Sequence, residues 1–263
     1  METEMPGLDP FKIAEIVISQ VTRSRDGIED RRYYRFRGGR WYGGIATGDV
    51  VGCNLRCKFC WSWRYSYYSD KGQFYPPNTV FEKLVGIASR CKYKYIRLSG
   101  GEPTLGFNHL LSLLELIGET RYIFILETNG LLLGKYPYLA EKLSNFQNMV
   151  IRVSFKGCIP EEFEMLSGAD RSFYQYQFDA LANLLEYGFK PCEEFYPAVM
   201  LSFSEPEAYS NYKRRLAKIH PSLAECIDEE YVILYPHVKY LLRMNNLRPR
   251  IAYSPEGVPD FMI

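Results

Sequence analysis

The chain has 263 residues, 47% of them hydrophobic and 24% charged, with a formal net charge of +1. Those proportions belong to a folded globular protein; no apolar run is long enough to span a bilayer, and so balanced a charge makes no global case for a nucleic-acid partner. Seven cysteines, odd in number and scattered apart from one triplet, argue against a disulfide framework and for a reducing compartment, and the acidic opening METEMPGLDP is unlike a signal peptide, so a cytoplasmic protein with no membrane partner is expected.

In chain order, residues 10–22 read as a short helix and SRDGIEDR as a polar break. From Arg31 to Val51 bulky and charged residues alternate around Gly38-Gly39 and Gly43-Gly44, the pattern of a strand, a turn and a strand. The arginines of that hairpin, Arg31, Arg32, Arg35, Arg37 and Arg40, make either a solvated face or a patch for an anionic partner. After an aromatic stretch, Trp61 to Tyr68, a helix is expected at 78–90. Strands and helices then alternate: KYKYIRLSG, FNHLLSLLELIGE, YIFILETNG, YPYLAEKLSNF, NMVIRVSFKG, FYQYQFDALANLLEYG closed by Gly188, AVMLSFS, PEAYSNYKRRLAKI, YVILYP and VKYLLRMNNL. Such alternation means βαβ units and a parallel sheet. Six βα units are too few for a closed eight-stranded barrel. The expected fold is α/β, a partial open (β/α)6 barrel over 45–263, with residues 1–44 as an extension of helix and hairpin.

The residues that point to chemistry begin with Cys53, Cys57 and Cys60, spaced CxxxCxxC. Three thiolates on one loop suit a metal or an iron-sulfur cluster with one iron left open. A closed zinc site would need a fourth Cys or His, and His109, His220 and His237 lie far downstream. Ordinary free cysteines are the bland alternative. Cys91, Cys158, Cys192 and Cys226 stand on separate elements without CxxC spacing, so no second cluster is expected.

With Phe59 before its last cysteine, this stretch resembles the cluster motif of the radical S-adenosylmethionine (radical SAM) superfamily. The resemblance implies a [4Fe-4S] cluster on the three cysteines whose open iron chelates S-adenosyl-L-methionine, and reductive cleavage to methionine and a 5′-deoxyadenosyl radical. It also implies an electron donor such as a ferredoxin or flavodoxin, and Phe59 near the adenine. Ser99-Gly100-Gly101-Glu102-Pro103, at the end of the next strand, matches the family's GGE motif, which binds the methionine amino group. Glu127-Thr128-Asn129-Gly130 and Ser154-Phe155-Lys156-Gly157 resemble segments of the pyruvate formate-lyase activating enzyme group. There Thr128 and Asn129 fall in a (D/E)TNG segment, and Lys156 falls on a lysine that approaches the methionine carboxylate. Ser154 stands where that group has an aspartate that helps hold a monovalent cation. Without the resemblance, ETNG is an Asn-Gly turn and Lys156 a rim lysine. Val199 to Phe203, on the fifth strand, would supply apolar and backbone contacts to adenine.

An oxidoreductase-type radical enzyme is therefore expected, one that activates a partner protein through hydrogen abstraction. Modification of an RNA base or a peptide is the alternative within that class, because arginines with interleaved aromatics suit a macromolecule docked across the open side of the barrel. The CFCW start also resembles the wybutosine-synthesis enzymes, although residues 1–52 lack their additional cysteines. A non-catalytic iron-sulfur protein is the alternative of another class, and it has no use for the GGE motif.

Overall fold

The computed structural model describes residues 7–263. Residues 1–6, part of the acidic opening, lie outside the described residues. The elements in order are α1 (Pro10–Val21), β1 (Thr22–Arg25), β2 (Ile28–Gly39), β3 (Ile45–Val50), α2 (Trp63–Tyr67), β4 (Gln73–Tyr75), α3 (Pro77–Cys91), β5 (Tyr95–Gly100), α4 (Phe107–Gly118), β6 (Ile123–Thr128), α5 (Leu131–Lys135) and α6 (Pro137–Leu143). They continue with β7 (Met149–Phe155), α7 (Pro160–Ser167), α8 (Gln175–Glu186), β8 (Phe195–Met200), α9 (Pro206–Ile219), β9 (Asp228–Glu230), β10 (Val232–Ile233), α10 (Pro236–Met244) and β11 (Ala252–Tyr253).

Six strands, β3-β5-β6-β7-β8-β9, run parallel, and β2 adds to β3 antiparallel, with β1 and β4 paired to β2. The sheet does not close on itself, so the partial (β/α)6 barrel is borne out. Its outer face, through Ile96, Leu98, Leu126, Ile151, Val153 and Phe155, is buried in the main core. Side chains alternate along a strand, so the inward positions carry Thr47 and Asp49, Arg97 and Ser99, Arg152 and Ser154, and then the acidic β9. Helix α1 is capped by Asp9, which accepts from the amides of Phe11 and Lys12. Among the described residues no helix is long and apolar enough to cross a membrane.

Two expectations need correction. The polar break SRDGIEDR is a hairpin, with Asp26 and Gly27 both at positive φ (51° and 80°); Asp-Gly is the dipeptide that the tight two-residue turn favours. The sixth barrel strand is Asp228–Glu230 rather than YVILYP. The apolar Val232–Ile233 leaves the barrel to pair with β11, and Val232 joins a second small core with Leu166, Met200, Val238, Leu242 and Leu247. A polar strand belongs in the barrel here because its carboxylates reach across the barrel interior to buried cations at β7, two strands away, Arg152 and Lys156.

A third correction concerns the cysteines. Cys192 and Cys226, expected as free thiols, form a disulfide between the segments that lead into β8 and β9. They therefore offer no thiolates to a cluster, while Cys91 is exposed and Cys158 buried.

Candidate active site

Cys53, Cys57 and Cys60 lie on the irregular loop after β3, and all three line a cavity of about 860 Å³ at the C-terminal ends of the parallel strands. That is where barrel enzymes carry their chemistry. The loop is fixed from below and behind. Amides of Arg56 and Lys58 donate to the carbonyls of Ser167 and Leu166 at the end of α7, each at 2.9 Å. The Arg56 guanidinium ties back to the Cys53 carbonyl, and Leu55 is 2% exposed. Cys60 Sγ stands 3.5 Å from Ser62 Oγ and 3.7 Å from Ser66 Oγ. Burial pushes the Cys53 thiol up to about 12, aided by the Glu102 carboxylate, and burial likewise raises Cys57. Thiols in so dry a place ionise on binding metal, and binding is then coupled to proton release. Among the described residues no three His, Cys, Asp or Glu side chains are drawn together tightly enough to hold one metal ion.

The end of β5 approaches the loop closely. Gly100 has φ +88°, and a Cβ on Gly101 would lie 2.1 Å from the Gly52 carbonyl oxygen. The amides of Gly101 and Glu102 donate to the Val50 and Gly52 carbonyls, at 2.9 and 2.8 Å. The Gly100 carbonyl accepts from Ser62 and Ser66. Glu102, expected to reach the methionine end of the cofactor, is 3% exposed and turned into the protein. Its Oε1 accepts from Thr104 N, Thr104 Oγ1 and Thr128 Oγ1, and its Oε2 from the Asn129 amide at 2.8 Å. Its geometry is that of a positioning residue that sets the β5 and β6 ends against each other.

Asn129 in turn donates from Nδ2 to Asn54 Oδ1 at 2.7 Å, inside the cysteine loop. Gln177, fully buried on α8, donates to the carbonyls of Asn129 and Ser154 and so joins the next pair of strand ends. Phe59 packs beside Phe203, ring centroids 5.9 Å apart, against the second core. Met200 lines the cavity, but β8 ends there, and Leu201 to Phe203 form the turn that follows.

Lys156 donates to Ser154 Oγ at 2.9 Å and lies 3.6 Å from Glu230. Burial alone would discharge it, yet Glu230 raises its pKa. Ser154 Oγ also meets Arg152 Nη1 at 3.4 Å. The same hydroxyl donates to Glu230 Oε1 at 2.8 Å, so Ser154 sits within an Arg152–Glu230–Lys156 cluster where the related group has an aspartate.

Several lining residues were not singled out from sequence. Arg152 pairs with Asp228 at 2.6 Å and Glu230 at 2.7 Å. Arg97 pairs with Glu127 at 2.6 Å, and Tyr42 donates to the same Glu127 oxygen at 2.7 Å. Burial opposes ionisation of Glu127, but Arg97 and Arg152 hold its carboxyl below the usual range. The signal was present in YIRLSG and VIRVSF, where Arg and Ser sit two apart in otherwise apolar strands, the spacing of one sheet face.

The hairpin arginines are each held by contacts within the chain. Arg35 and Arg37 both clasp the buried Asp49, at 2.7 and 2.8 Å. Arg31 is 1% exposed and donates to the Val21 and Glu102 carbonyls, while Arg32 and Arg40 donate to backbone carbonyls as well.

Residues 49–201, from β3 to just past β8, match the model of the Radical SAM superfamily. The chain belongs to that superfamily. Radical SAM members are enzymes that bind a [4Fe-4S] cluster and S-adenosylmethionine. Among curated relatives, the chain is 39% identical over 83 residues to a protein of Hyperthermus butylicus named 7-carboxy-7-deazaguanine synthase, covering 32% of this chain and 33% of that one. It is 30% identical over 122 residues to a protein of Thermococcus kodakarensis named as a GTP 3',8-cyclase, covering 45% and 36%. It is also 30% identical over 107 residues to a protein of Methanocaldococcus jannaschii named as a glycyl-radical enzyme activating enzyme, covering 41% and 37%. The matched segments thus span about a third of these relatives' length. Among solved radical SAM structures, spore photoproduct lyase superposes with a TM-score of 0.55 at 12% identity over 84% of this chain and 66% of that one. Streptococcus suis SuiB bound to precursor peptide SuiA gives 0.52 at 15% identity, covering 77% and 46%.

Proposed function

We propose that this radical SAM enzyme holds its [4Fe-4S] cluster on Cys53, Cys57 and Cys60 and abstracts hydrogen from a substrate group admitted to the cavity those residues line. The observation that carries this is the convergence of three thiols, the glycine ridge and Lys156 on one cavity. The donor set fits the group, and the loop holds a donor to spare: Asn54 Nδ2 is buried with no hydrogen-bond partner among the described residues. When bound, the cluster and S-adenosylmethionine supply the one-electron cleavage that yields methionine and the 5′-deoxyadenosyl radical.

The protein's share is binding, orientation and exclusion of water. Gly100 and Gly101 keep the β5 end free of side chains, so that a cofactor amino group can approach backbone carbonyls. Lys156, charged and held by Ser154 and Glu230, offers its ammonium to a carboxylate. Phe59 and Met200 present apolar surface for adenine. Past these residues the cavity is lined by Arg97, Glu127, Arg152, Asp228 and Tyr42. Their donors and acceptors suit a polar substrate group of modest size better than an apolar one.

Activation of a partner protein by hydrogen abstraction is one reading of this activity, supported by the ETNG segment and by the relative named as a glycyl-radical enzyme activating enzyme. The test is anaerobic reconstitution followed by reduction with dithionite in the presence of S-adenosylmethionine. About four irons per chain and release of 5′-deoxyadenosine are expected, and Cys→Ala at 53, 57 or 60 should abolish both cluster and product. A folded chain with a full cluster and no 5′-deoxyadenosine would overturn the reading.

A further inference from the structure

We propose that the outward face of α10 is the docking surface for an acidic one-electron carrier protein; this rests on the cluster assignment above. Helix α10 is laid along the cysteine loop. His237 Nε2, near its start, meets the Trp61 carbonyl at 2.8 Å, and Asn245 Nδ2, just past its end, meets the Lys58 carbonyl at 3.5 Å. Those two carbonyls flank Cys60. The inner face of α10, Val238 and Leu242, packs in the small core against which Phe59 rests. One helix, about 10 Å thick, therefore separates the outer face from the cluster loop, a short path for an electron.

That outer face is basic and apolar together. Lys239 and Arg243 stand one turn apart, Tyr240 and Met244 stand beside them one turn apart, and all four are exposed, Met244 at 64%. Lys239 and Arg243 make no ion pair among the described residues, whereas Arg250 beyond them is held by Glu205. Residues 231–255 contain no acidic side chain, and neither do residues 50–69 of the cysteine loop and α2, which contribute Arg56, Lys58 and Arg64. The nearby α7 acids Glu161 and Glu164 are turned to Arg171. A cationic stripe beside an apolar one is complementary to a partner with acidic groups beside an exposed redox group, and such complementarity acts mainly on association rate. In the transfer step the carrier is oxidised by one electron and the bound cluster is reduced by one, with no proton or bond exchanged.

The test is anaerobic stopped-flow reduction of the reconstituted chain, read as bleaching of its visible absorbance, with reduced flavodoxin as the acidic carrier and dithionite as the small reductant. Lys239→Glu with Arg243→Glu should slow reduction by flavodoxin roughly tenfold or more at low salt and leave the dithionite rate unchanged. The wild-type flavodoxin rate should fall as salt shortens the reach of the charges. Tyr240→Ser with Met244→Ser should weaken the flavodoxin complex without removing its salt dependence. Equal flavodoxin rates in wild type and charge-reversed variant, with dithionite effective on both, would overturn the docking surface alone. A chain that dithionite cannot reduce would overturn the cluster assignment with it. Loss of transfer-RNA binding in the charge-reversed variant at an unchanged flavodoxin rate would assign the stripe to a nucleic acid and overturn the proposal.

Discussion

Glu102 at the end of one barrel strand accepts the backbone amide of Asn129 at the end of the next, at 2.8 Å. Through Asn129 Nδ2 and Asn54 the same link reaches the cysteine loop. The GGE glutamate thus ties the ends of β5 and β6 to each other and, through Asn129, to the loop. Glu102→Gln should be costly. Its amide nitrogen must face either the Thr104 amide or the Asn129 amide, and either choice sets donor against donor in a buried place. A loss of about 1–3 kcal/mol is expected, measured by urea unfolding of the metal-free chain. Unfolding at the wild-type midpoint would show that the carboxylate is not the link.

Gly101→Ala should be worse tolerated, because the new Cβ would fall 2.1 Å from the Gly52 carbonyl oxygen, and this neighbour is backbone rather than a movable side chain. The β5 end must then separate from the loop that carries Cys53. Weaker cluster retention and a lower thermal midpoint are expected together. Intact retention at an unchanged midpoint would mean that the close approach is not needed.

Much of this site was legible because its motifs are local. Cys53 to Cys60 share one loop, and SGGEP and ETNG end strands whose apolar runs are strong. What was not legible depends on pairings across the sheet. Arg152 is informative only beside Asp228 and Glu230, which come 76 and 78 residues later. Because the barrel interior is polar, β9 looks like a loop and the apolar YVILYP next to it looks like the strand. The three partners of Glu102, Thr104, Thr128 and Asn129, converge only in the fold.

The disulfide is the clearest departure from composition. Cys192 and Cys226 are 34 residues apart in sequence, and a loop of that size constrains the unfolded chain by about 3–4 kcal/mol. Dithiothreitol, or Cys192→Ser with Cys226→Ser, should lower unfolding free energy by roughly that amount. Equal stability with and without dithiothreitol would show that the two thiols are not bridged.

Glu230 provides a prediction in pH. It is enclosed by Arg152, Lys156 and Ser154. Burial would raise its pKa, but Lys156 and Arg152 outweigh this and pull it from 4.5 to about 2. A carboxylate whose folded pKa lies below its unfolded value contributes stability that is complete above the unfolded value and lost as pH falls through the folded one. The window here runs from about pH 4.5 down to about 2, and the shift corresponds to about 3 kcal/mol. Glu230→Gln keeps the shape, removes the charge and leaves two buried cations short of a partner, a change that costs about 3–5 kcal/mol when a buried pair is broken. Urea unfolding of the metal-free chains should therefore show a gap between wild type and Glu230→Gln that is widest near neutral pH and narrows as pH falls through that window. A gap that stays constant down to the lower end would mean that the Glu230 carboxylate is not held ionised by Lys156 and Arg152.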